Sequence, residues 1–174
     1  MERFDILDKN GSPTGLLAEK GAKLAPGQHY LGVHVYVFNA AMEFLIQQRA
    51  YHKKFLPGGW DVCLEHAMAG ETSKECAVRG LQEELGLVVP AQDIQFVCRL
   101  VWEADHHIMD VYFVQAEFDI SKLVLAPNEV IDAKGISKTE MLALINGMDY
   151  RPLAYRAVLA DKIRRLTPCK IEKR

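Results

Sequence analysis

Two adjacent acids, Glu83 and Glu84, close the stretch AVRGLQEELGL at residues 77–87, and a glycine, Gly80, stands one turn before them. Ala77, Leu81 and Leu85 are spaced four apart, which with Val78 makes the apolar stripe of an amphipathic helix. Gly80, Glu83 and Glu84 are related as i, i+3 and i+4, so they share the face beside that stripe. Glu84 follows Ala77 by two turns and lies about 20° from it. A carboxylate at the border of a core is costly unless it is paired or holds a metal. A third acid, Glu71, precedes the helix, and Arg79 stands four residues before Glu83, at ion-pair spacing. Two acids on a helix usually mean a solvated face. Here a glycine-rich break and a further acid can converge with them, and oxygen ligands from a loop and a helix suit Mg²⁺. Gly80 itself needs a reason, because glycine inside a helix costs about 1 kcal/mol relative to alanine.

The elements that must position these acids are legible around them. Thr72 and Glu75 have capping-box spacing, so the helix starts near Ser73, and Gly86 sits where a terminating glycine belongs. Upstream, residues 3–17 read as a hairpin turning at Asp8-Lys9-Asn10-Gly11. It is not a calcium loop, because the acid spacing is wrong. Val33, Val35 and Val37 alternate toward a second turn at Asn39-Ala40-Ala41, and Phe44 to Gln48 returns. Pro57, Gly58 and Gly59 then break the pattern. Downstream, strands are predicted near 95–102 and 111–118. A helix is predicted near 138–146, with Ser137 and Glu140 as its capping box, and a last helix near 153–165. Strands before and after a central helix predict a mixed α/β class.

The 174 residues suffice for one domain with a real core. An apolar content of 49% and a charged content of 25% are ordinary for a soluble protein. No apolar run reaches the roughly 18 residues of a membrane span, and the N-terminal stretch has no secretory pattern. A net charge of −2 gives no bulk attraction to nucleic acid. Cys63, Cys76, Cys98 and Cys169 form no C-x-x-C pair, so reduced thiols and a cytoplasmic location are expected. The locally basic end, DKIRRLTPCKIEKR, reads as a solvated helix end and tail ahead of a phosphate or RNA patch. No feature specifies an oligomeric state.

The segment GETSKECAVRGLQEELGL resembles the Nudix box, G-x5-E-x7-R-E-U-x-E-E-x-G-U, in which U is bulky and apolar. Glu71, Arg79, Leu81, Glu83, Glu84, Gly86 and Leu87 match it in register. HVYVFNAAMEFLIQQR, KKFLPGGWD and PNEVIDAKGISKTEM also sit where Nudix proteins of this size carry strands, the loop before the box and a late helix. The likeness runs over roughly residues 1–150, and the layout is near that of isopentenyl-diphosphate isomerase. It implies a single Nudix domain over 1–174, with its box at about 65–87 and a mixed sheet between helices. It implies hydrolysis of a nucleoside diphosphate linked to another group, with Mg²⁺ or Mn²⁺. By position, Glu83 and Glu84 are metal ligands, Glu71 supports or joins them, and Arg79 orients the glutamates.

Two box positions depart. The opening glycine falls on Glu65, and the glutamate after the arginine is Gly80. The family uses that glutamate as a metal ligand or as the base that activates water, so the residue missing from the face of Glu83 and Glu84 is a third carboxylate. Glu65 either restores it or is a solvent-exposed loop acid. Asp110, read as opening a strand, lies about where the isomerase has an acidic ligand; Glu103 and Glu129 are weaker candidates of the same kind. Cys63, His66, Asp105, His106, His107 and Asp110 have no structural-zinc spacing.

Three functions are open on these residues: a Nudix hydrolase, impaired or not; a Nudix-fold module that binds a nucleotide or partner without turnover; and the isomerase. The isomerase also lacks the glutamate after the arginine, but carries a cysteine two residues before the histidine of a C-x-H segment. Counting back from His66 that position is Leu64, and Cys63 is one residue off. Trp60, Trp102, Tyr36 and Phe113 are available to stack on a base, though each also suits a core.

Overall fold

The alternating valines become the central strand of the protein. In the computed structural model, which describes residues 2–168, they lie in β3 (Tyr30–Phe38), preceded by the hairpin β1 (Arg3–Leu7) and β2 (Pro13–Glu19). That hairpin turns as predicted: Gly11 has a φ of 82°, and Asp8 Oδ1 accepts from the backbone of Asn10 and Ser12. β4 (Glu43–Arg49), β5 (Trp60–Asp61) and β6 (Cys63–His66) follow, then α1 (Ser73–Leu85), β7 (Gln95–Trp102), β8 (His107–Gln115), β9 (Val130–Ser137), α2 (Lys138–Asn146) and α3 (Leu153–Arg165).

The main sheet has seven strands in the order β5-β4-β3-β8-β7, with β6 also on β3 and β9 on β4. β3 and β8 are parallel; the other pairs are antiparallel. Since β8 covers one edge of β3 from end to end, β4 and β6 share the other. β4 takes Val37 and Phe38, and β6 takes Gly32 to Val35. β6 is therefore wedged beside β3 where β4 turns away, and its free side faces a cleft.

Two cores follow from the alternation. Val33, Val35, Val37 and Leu45 pack under Ala77, Leu81 and Leu85 of α1. Tyr36, Phe44, Val111 and Phe113 pack under Met141 and Ile145 of α2 and Tyr155, Leu159 and Ile163 of α3. This is the mixed sheet between helices that the resemblance implied. Among the described residues no helix is long and apolar enough to cross a membrane.

α1, α2 and α3 fall where the sequence predicts them, and both capping boxes form. The strands depart more. β8 begins at His107 and ends at Gln115, so Asp110 lies inside the strand and does not open it. β9 escapes the sequence reading because its buried residues, Val130, Ala133 and Ile136, recur every third position. Pairing with β4, with a register shift at Gln48 and Arg49, makes it a strand. Cys169 and the rest of the basic tail from 169 to 174 lie outside the described residues.

Candidate active site

α1 is held at both ends. The Thr72 side chain accepts from the backbone of Glu75, whose carboxylate accepts from the backbone of Thr72, and Gly86 ends the helix at a φ of 65°. Fixing this helix fixes its acids. Glu84 is only 4% exposed, on the buried side that its angle to the stripe predicts. It accepts from Gln47 Nε2 at 2.6 Å, from the Leu64 backbone N–H at 3.4 Å and from the Cys63 thiol. Burial nonetheless pushes its pKa up to about 7.

Arg79 gathers the other acids. Its Nε and Nη2 donate to the two oxygens of Glu71, each at 2.9 Å; Nη1 donates to Glu83 at 2.9 Å and lies 3.5 Å from Glu65 Oε2; Nη2 also reaches the His66 carbonyl. Glu71 further accepts from the Met68 backbone. A fork that fits a carboxylate with two parallel bonds is a strong anchor. Glu71 is thus occupied in holding Arg79, and Arg79 in turn orients Glu83. Glu65 accepts from its neighbour's backbone, His66 N, at 2.7 Å.

Glu65, Glu83 and Glu84 line one cleft of about 230 Å³ together with Lys20, Arg49 and Lys53. Arg49 is 8% exposed and donates from Nε to the Phe55 carbonyl, with no carboxylate ion pair among the described residues. Lys20 is paired with Glu2, and Lys53 with Glu129. A second cavity of about 350 Å³, walled also by Phe55, Trp102 and His107, adjoins the cleft and shares Arg49, Leu64 and His66 with it. His66 and His107 face each other there, Nε2 to Nε2, at 2.9 Å, and burial pushes the His66 pKa down to about 4.

Of the other candidates, Glu129 also lines this cleft, paired with Lys53, while Asp110 and Glu103 stand apart from it. Asp110 is 1% exposed, and Arg99 on the neighbouring β7 takes both its oxygens, at 2.7 and 2.8 Å. Glu103 meets the buried His29. Tyr36 and Phe113 are core residues, Trp60 packs under Lys134, and Trp102 reaches the second cavity. Sequence reasoning passed over Gln47 and Arg49. Their signal was present: they continue the inward positions of β4 after Leu45, and a polar pair on a buried strand face asks for partners.

The donor set fits Mg²⁺ or Mn²⁺. No three His, Cys, Asp or Glu side chains among the described residues already converge on one metal position. Mg²⁺ does not need such a cage, since one or two carboxylates suffice when waters and substrate phosphates complete the shell. The hard oxygens of Glu83 and Glu84 would supply this, and Gln47 Oε1, buried and without a hydrogen-bond partner among the described residues, stands on the residue bonded to Glu84.

Glu84 makes the metal-free protein sensitive to pH. Its folded pKa lies above the ordinary value near 4.5, so the folded chain binds the extra proton. That stabilisation is complete below about pH 4.5 and is lost as pH rises through 7, amounting to about 3 kcal/mol. His66 has the opposite sign, because its lowered pKa makes stability rise with pH up to about its ordinary value. The difference between wild type and Glu84→Gln isolates the first effect. Urea unfolding in EDTA is expected to show Glu84→Gln gaining stability relative to wild type between pH 5 and pH 8.

Cys63 is 3% exposed, packs toward α1, and burial holds its thiol well above the ordinary range. A thiol kept protonated is a poor nucleophile. Cys63→Ser keeps a donor for Glu84 and is expected to change turnover only a few-fold; complete loss of activity in the folded variant would show thiol chemistry.

A mixed sheet between helices, with a helix-borne acidic pair at a cleft that Lys20, Arg49 and Lys53 also line, is a Nudix-type fold. A model of the NUDIX domain matches residues 28–156, and the chain belongs to that family. An uncharacterized Nudix hydrolase of Listeria monocytogenes is 34% identical over 153 residues, covering 87% of this chain and 89% of its own. An isopentenyl-diphosphate Delta-isomerase of Escherichia coli is 30% identical over 159 residues, covering 88% and 85%. In fold, a crystal structure from Deinococcus radiodurans superposes with a TM-score of 0.72 at 19% identity, covering 94% of this chain and 98% of that one.

Proposed function

We propose that this chain is a divalent-cation-dependent hydrolase that cleaves a diphosphate bond in a small molecule, a nucleoside diphosphate linked to a second group. The observation that carries the reading is one cleft in which carboxylates on α1 meet a buried Arg49 that has no carboxylate partner among the described residues. Acids to hold a cation and a guanidinium to hold phosphate are the two halves of a diphosphate site. Glu83 and Glu84 would hold Mg²⁺ or Mn²⁺, which would supply charge neutralisation on the phosphates and a lower pKa for the attacking water. Arg49 binds the phosphate, while Lys53 and Lys20 are held by Glu129 and Glu2 in the same cleft. Arg79 keeps Glu83 turned into the cleft. The adjoining cavity, with Phe55 and Trp102, accepts the group beyond the diphosphate.

The isomerase reading is disfavoured by the faces of β6. Leu64 and His66 face that cavity, while Cys63 faces α1, so no thiol stands over the bound group. A panel of nucleoside di- and triphosphates and sugar- or nucleoside-linked diphosphates, with Mg²⁺ and Mn²⁺, tests the proposal by released phosphate or pyrophosphate. Turnover of at least one compound, abolished by EDTA, is expected. Tight binding without turnover across the panel would instead support a binding module.

A further inference from the structure

The departures at Glu65 and Gly80 are one change, not two. Gly80 is helical and buried, and its backbone is not among those with positive φ, so nothing in its conformation asks for glycine. Glycine also disfavours a helix interior. The space explains it. A Cβ on residue 80 would lie 3.1 Å from Glu65 Cβ and 3.3 Å from Cys63 Sγ, so that these neighbours would have to give by a few tenths of an ångström, with Glu65 Cγ in ordinary contact at 3.5 Å. Positions 65 and 80 therefore compete for one volume between β6 and α1. The family pattern puts glycine at the first and glutamate at the second; this chain interchanges them.

We infer that Glu65 supplies from β6 the carboxylate that α1 lacks at Gly80, and that with Glu83 and Glu84 it holds the divalent cation. The antiparallel pairing of β6 with β3, Val33 opposite Glu65, turns the side chain toward α1. Its oxygens are steadied by the His66 N–H and by the same Arg79 guanidinium that orients Glu83, and it lines the same cleft as Glu83 and Glu84. The third carboxylate is then anchored on a strand, and a bound cation would draw the three together, since they do not already converge on one position. The inference rests on the cation-dependent reading above.

Mn²⁺ binding to the metal-free protein, followed by electron paramagnetic resonance, tests it without a substrate. Glu65→Gln keeps the size of the side chain. It is expected to weaken Mn²⁺ by on the order of 10-fold or more with unchanged circular dichroism. It is also expected to lower turnover by on the order of 10². Gly80→Glu alone is expected to lower the melting temperature, because the new side chain meets Glu65. The exchange variant, Glu65→Gly with Gly80→Glu, is expected to recover Mn²⁺ affinity and turnover. If Glu65→Gln binds Mn²⁺ like wild type while Glu83→Gln does not, Glu65 is merely a partner of Arg79, and the metal site stands without it. If the folded exchange variant fails to recover Mn²⁺, the interchange is overturned. If wild type itself binds no Mn²⁺, the reading of the whole site falls, and this inference with it.

Discussion

Glutamine at both Glu83 and Glu84 is expected to abolish divalent-cation binding and to lower turnover by on the order of 10²–10⁴ while the protein stays folded. The substitutions keep the shape of the side chains and remove only charge. At Glu84 the fold should benefit: the carboxylate is buried, its pKa is already pushed up to about 7, and a neutral amide avoids the cost of ionising it. At Glu83 the loss is one oxygen of an exposed pair with Arg79, a contact of small worth to stability. Function and stability are therefore predicted to separate. A structural acidic face would show the opposite, an unaltered Mn²⁺ titration in the double variant. Titration of Mn²⁺ beside a urea unfolding curve reads both quantities, and equal affinity in wild type and variant would sink the metal site.

Arg151→Met is expected to be the most destabilising of these substitutions, by about 3–5 kcal/mol. Arg151 and Asp61 are 4% and 1% exposed, and Nη2 meets Oδ2 at 2.5 Å. The guanidinium lies over the rings of Phe55, Trp102, Tyr150 and Tyr155, between 5.3 and 5.7 Å from their centroids. Removing it strands the Asp61 charge in the interior, where among the described residues the Val62 backbone N–H is the remaining donor to it. Against a total stability of roughly 5–15 kcal/mol, the loss would be large. Asp61→Asn in the same chain should restore much of it, because the cost is the unpaired charge and not the lost contact area. Denaturant midpoints of the two single variants and the double variant measure this coupling; additive losses would show that the pair is not a unit. Arg151 also lines the second cavity.

Much of the site was legible before any coordinates. The bounds of α1, its two caps, the border position of Glu84, the Arg79–Glu83 pair and the match of the box in register are all read within 17 residues of Glu71. Helical periodicity and capping are local, so a linear text holds them. The same locality let the caps of α2 be read from Ser137 and Glu140. Strand limits were read less well. β9 has no alternation of its own and exists because β4 offers it a ladder, and Asp110 fell inside β8 because the strand extends as far as β3 and β7 pair with it. Which charges are spent and which remain available was not legible at all. Arg99 takes Asp110, Glu71 takes Arg79, and Arg49 is left facing the cleft, all by contacts between strands, loops and a helix brought together by folding. Gly80 marks the division. Its cost to the helix could be read from the sequence, but not the crowding that a side chain there would meet, with Glu65 Cβ only 3.1 Å from where a Cβ on residue 80 would stand. That distance follows from how β6 pairs with β3 and how α1 packs across them, relations in space that residue spacing does not encode.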